Sequence, residues 1–68
     1  MPIDAEKIRS LRERFKLTQT EFAMVLGITQ EHVSRLETGR KEPGGPMVRL
    51  LEMIEHFGLP PGKSGAPR

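Results

Sequence analysis

No cysteine occurs among the 68 residues. Its absence removes disulfide staples, thiolate chemistry and the usual zinc ligands, and makes a reducing cytoplasm the expected compartment. Histidine is scarce as well. His32 and His56 stand far apart with no carboxylates at metal-ligand spacing, so both are read as solvated or packed side chains, and no metal or cofactor is expected. No apolar run approaches the roughly 18 residues that span a bilayer, and the opening "MPIDAEKIRS" lacks the apolar stretch of a signal peptide. These absences lead to the expectation of a soluble protein with no membrane partner. Enzyme chemistry also lacks a footing: there are no paired carboxylates in a predicted pocket, and "PGGP" has neither the strand nor the lysine of a phosphate-binding loop.

What remains is one small domain, close to the size at which burial only marginally beats chain entropy. The formal net charge is +2 and the pI about 9.5, a mild basic balance that permits nucleic acid as a partner without demanding it.

Hydrophobic spacing and capping residues divide the chain into four helices and a tail. Asp4 is a good N-cap for the first helix, with Ile3 and Ile8 at the staple positions on either side of it; Ile8, Leu11 and Phe15 then recur at helical spacing. Arg12 falls only about 40° from Ile8 on the helical wheel, which turns it toward the core. "TQTE", residues 18–21, is a capping box that starts a second, very short helix from Gln19 to about Leu26, burying Phe22, Ala23 and Leu26 and stopped by Gly27. Only Gly27 and Ile28 precede the next N-cap, Thr29, so the third helix must cross the second steeply: a helix-turn-helix.

The third helix, Gln30 to Thr38, has two large apolar side chains, Val33 and Leu36, and ends at Gly39. A helix so thin on its apolar side is not there mainly to build a core. Glu31, Ser34, Arg35 and Thr38 occupy its outward face, and Gln30 lies at the edge of that face. Glu37 lies about 40° from Val33 and so points inward, like Arg12. Two inward charges of opposite sign suggest each other as a structural ion pair. After the loop "RKEPGG", Pro46 can open a fourth helix at its first position, and Met47, Leu50, Leu51, Met53, Ile54 and Phe57 make that helix apolar over more than one stripe. The expected organisation is a domain over residues 1–58 and a Pro- and Gly-rich tail over 59–68.

The stretch "LTQTEFAMVLGITQEHVSRLETGRKEP" resembles the helix-turn-helix of the phage-repressor family, the Cro and Xre-like DNA-binding domains. The resemblance covers roughly residues 5–57 and rests on the "TQ" entry, small Ala23, Gly27 at the turn, Val33 and Leu36, and the "LETGR" exit. It implies an all-α, lambda-repressor-like bundle of four, at most five, short helices. In the family an arginine late in the first helix pairs with a glutamate late in the recognition helix, which matches Arg12 and Glu37.

With the third helix in a major groove, the expected base readers are Gln30 for adenine, Arg35 for guanine, Glu31 for cytosine, and Ser34. Gln19, Thr38, Arg40 and Lys41 are the expected phosphate contacts. Bland readings stand beside these. Glu31 and Arg35 are spaced to pair with each other on a solvated surface, and Glu31 could instead orient Arg35 or exclude wrong bases. His32 reads as a solvated residue or an occasional phosphate contact, Arg14 and Lys16 equally as surface charges or DNA contacts, and Thr18, Thr29 and Gly39 as caps.

The function implied is a sequence-specific transcriptional regulator, a dimeric autorepressor on a pseudopalindromic double-stranded operator. Leu51, Met53, Phe57 and Leu59 are the expected homodimer contacts, with Leu50 and Ile54 turned inward. The alternative comes from "GGPMVRLLEMI", which resembles the end of antitoxins: a protein-interaction module that neutralises a toxin-like partner through its C-terminal helix.

Overall fold

The four expected helices form, and the capping residues set their starts. The computed structural model describes residues 3–59, in which α1 runs Ala5–Arg14, α2 Gln19–Leu26, α3 Gln30–Thr38 and α4 Gly45–Phe57. Asp4 accepts from the Lys7 amide at 2.9 Å. Thr18 and Glu21 close the capping box, with Glu21 N donating to Thr18 Oγ1 at 3.1 Å and Thr18 N donating to Glu21 Oε1 at 2.9 Å. Thr29 accepts from the His32 amide. Such caps satisfy amides that the first helical turn leaves without an intrahelical partner. The fourth helix begins slightly earlier than expected: Gly44 is its N-cap and Pro46 its second residue, a first-turn position where a missing N–H costs nothing.

The core gathers one stripe from each helix. Ile3 and Ile8 close over the start of α1; Phe22, Val33, Leu36, Leu51 and Ile54 are each at most 1% exposed. Val25, not among the residues expected inside, is buried as well. Ala23 is buried where α2 and α3 pack against each other, and Gly27 makes the turn between them in the left-handed region, φ 75°. The α3 helix packs on both α1 and α2, which fixes its orientation in the bundle.

One assignment on α4 is reversed. Leu51 is fully buried and Leu50 only half-buried, so Leu51 belongs to the core of its own chain and not to a partner surface. The reason is the phase of the helix. Leu51 and Ile54, three residues apart, define the middle of the buried stripe; Leu50 falls on its edge, and Met53 and Phe57 lie beyond that edge, 57% and 84% exposed. Leu59 is half-buried against the same core. The rest of the tail, 60–68, lies outside the described residues.

Candidate nucleic-acid interface

A buried ion pair fixes the third helix from behind. Arg12 Nε donates to Glu37 Oε2 at 2.6 Å and Nη2 donates to Oε1 at 3.1 Å, while Nη1 donates to the Leu17 carbonyl at 2.8 Å. The side chains are 16% and 3% exposed. One guanidinium therefore ties α1, the α1–α2 loop and α3 together. Its pKa is raised above the ordinary value, first by the hydrogen bond to Glu37, with the attraction of Glu37 and Glu13 adding to it and burial opposing it. Among the described residues no buried side-chain nitrogen or oxygen lacks a partner, so this charge is inside at little uncompensated cost.

In front of the pair lies the polar face of α3. Gln30, Glu31, Arg35 and Thr38 are exposed and Ser34 half-exposed. Glu31 and Arg35 do not pair: the ion pairs among the described residues are Lys7–Glu55, Arg9–Glu13 and Arg12–Glu37. Both side chains remain free for another partner. Thr38 turns its hydroxyl onto its own helix, donating to the Ser34 carbonyl at 3.0 Å and lying 3.3 Å from that of Arg35. The chain then folds back at Gly39, φ 80°, where the amides of Arg40 and Lys41 both donate to the Arg35 carbonyl at 2.9 and 3.2 Å. That turn sets two exposed cations beside the C-terminus of α3, where the helix dipole favours positive charge.

Gln19 has a part that spacing did not reveal. It stands at the first position of α2, as a phosphate contact would, yet its side chain bridges two other groups. Its Nε2 donates to Glu37 Oε1 at 3.1 Å, and its Oε1 accepts from Gln30 Nε2 at 2.6 Å. The interface is thus connected, from Gln30 at the surface to Arg12 inside. No local pattern in the sequence signals a bond between residues on different helices.

Residues 8–61 match the helix-turn-helix family model, and the chain belongs to that family, in its Cro and Xre-like branch of DNA-binding domains. Its similarity to an uncharacterised HTH-type transcriptional regulator of Sinorhizobium fredii is 41% identity over 74% of this chain and 26% of the relative. Antitoxin HigA-2 of Vibrio cholerae is 32% identical over 78% of this chain and 51% of its own length. The chain therefore spans about a quarter to a half of these two relatives.

Proposed function

We propose that this chain is a sequence-specific double-stranded DNA-binding regulator of transcription that lays α3 in the major groove. The observation that carries the reading is the face of α3: polar, unpaired across Glu31 and Arg35, and braced from behind by a buried ion pair. A major groove about 12 Å wide admits one helix and offers each base pair a distinct donor and acceptor pattern. Gln30 reads adenine, Arg35 guanine and Glu31 cytosine, with Ser34 beside them. Arg40, Lys41 and the α2 N-terminus at Gln19 hold phosphates, whereas the one hydroxyl proton of Thr38 goes to the Ser34 carbonyl.

One recognition helix contacts too few base pairs to single out an operator in a genome. The working unit is a homodimer on a pseudopalindromic site, its recognition helices about 34 Å apart, acting as an autorepressor. Its contact runs through Met53 and Phe57, with Leu50 in the place first given to Leu51. Selection of duplexes from a random pool, followed by titration at several salt concentrations, tests the reading. A recovered inverted repeat and a steep fall of affinity with salt are expected; no duplex binding at all overturns it.

A second reading has its own support. The exposed Met53 and Phe57 on α4 and the similarity to an antitoxin favour a module that also docks on a toxin-like protein through that helix. Such docking leaves the α3 face open to DNA but takes the same Met53 and Phe57 as the homodimer contact, so the two occupants of α4 compete.

A further inference from the structure

A carboxylate paired with a guanidinium offers only acceptor sites. Glu37 is such a group, 9% exposed, with Arg12 on both oxygens. Whatever side chain meets it from α2 must therefore donate. Gln19 does so, turning its NH2 inward onto Glu37 Oε1, and its own oxygen is left facing the surface. That oxygen can only accept, so Gln30 turns its NH2 toward Gln19 in turn. The direction of each amide is inherited from the group behind it, and the origin lies where water has little access to substitute for a donor.

We infer that Glu37, acting through Gln19, fixes the hydrogen-bond polarity of Gln30 and thereby makes its base pair selective for adenine. The inference rests on the DNA-binding reading above and extends it: Glu37 touches no base and is a positioning residue for specificity. Its chemistry follows from counting donors. With one N–H committed to Gln19, Gln30 presents one N–H and its oxygen, which match the N7 acceptor and N6 amino donor of adenine. Were the chain reversed, Gln30 would accept from Gln19 and present two N–H groups, which suit the paired acceptors N7 and O6 of guanine. A glutamine alone on the surface has no reason to choose, because its oxygen and nitrogen ends have nearly the same shape.

Glu37→Gln is the direct test. Its amide oxygen stays with Arg12 Nε, and its NH2 takes the Oε1 place and turns to Gln19, reversing the chain at the cost of the Arg12 Nη2 bond made there. In duplex competition the wild type is expected to prefer adenine over guanine at the Gln30 position by about tenfold or more, and Glu37→Gln by about threefold or less. The preference at the Arg35 base pair is expected to stay as it was. Unchanged adenine preference in a folded Glu37→Gln, or an equal loss at both positions, overturns the inference. Gln19→Met cuts the relay while leaving the Arg12–Glu37 pair in place, and is expected to erase the adenine preference even as affinity falls on every duplex; a retained preference overturns it.

Should Glu37→Gln fail to fold, trans-hydrogen-bond NMR couplings in the wild type still decide. They are expected to run from Gln30 Nε2 to the Gln19 carboxamide carbon and from Gln19 Nε2 to the Glu37 carboxylate carbon, and the opposite direction refutes the polarity. If the wild-type protein binds no duplex, it is the DNA-binding reading that fails.

Discussion

Arg12 and Glu37, 25 residues apart in sequence, meet through two hydrogen bonds of 2.6 and 3.1 Å inside the bundle. Removing one partner strands the other charge. Glu37→Ala is expected to destabilise the domain by about 3 kcal/mol, the lower end for a broken buried pair, because Arg12 keeps its bond to Leu17 and some access to water. For a domain of this size that is a fall in Tm of more than about 10 °C. A thermal melt within a degree or two of wild type would contradict the brace.

Arg35 and Arg40 are both exposed, five residues apart on either side of Gly39. Their roles are expected to differ. Arg35→Ala should relax the preference at one base pair per half-site by about 1–3 kcal/mol. Arg40→Ala should weaken all duplexes alike and make the salt dependence shallower. Equal losses on every sequence in both variants would refute the division into base reader and phosphate clamp.

The two sides of α4 should separate folding from assembly. Leu51→Ala opens a cavity in the core and is expected to cost about 2–5 kcal/mol. Phe57→Asp changes an 84% exposed side chain and should leave the fold intact while driving the protein to monomer in sedimentation and to weaker operator binding. A dimer of unchanged affinity in Phe57→Asp would move the interface elsewhere.

Glu55 on α4 holds Lys7 of α1 at 2.5 Å. The hydrogen bond from Lys7 keeps its carboxyl below the ordinary value of 4.5, with burial opposing and the charges of Lys7, His56 and Arg14 assisting. A carboxyl whose folded-state pKa is depressed stabilises the fold above its unfolded pKa and loses that contribution as pH falls through the folded value. The stability gap between wild type and Glu55→Gln should therefore be complete at neutral pH and close on acidification below about 4.5. A gap that persists undiminished at lower pH would show that packing, not charge, ties these helices.

Local chemistry made the helix starts legible. Asp4, the Thr18–Glu21 box and Thr29 act on amides three residues away, and Gly27 and Gly39 supply left-handed turns that other residues resist. The inward tilt of Arg12 and Glu37 was legible for the same reason, since a helical wheel needs only the period. The end of α1 was not legible. Lys16 adopts φ 58° there and Leu17 N–H closes back on the Arg12 carbonyl at 3.2 Å, a left-handed cap without a glycine to mark it. Phe15 and Leu17 on either side of Lys16 pack against the core, and no residue type announces the turn.

The sequence by itself determined the helices, the turn and the residues that α3 turns outward, because each depends on neighbours within about one helical turn. Tertiary structure decided which of two adjacent leucines on α4 is buried. A broad apolar surface does not define its own phase; only packing in the bundle selects Leu51 over Leu50. It also decided that Gln19 lies between Gln30 and Glu37. That contact joins side chains from α2 and α3, whose crossing brings them together and which no spacing along one helix can encode.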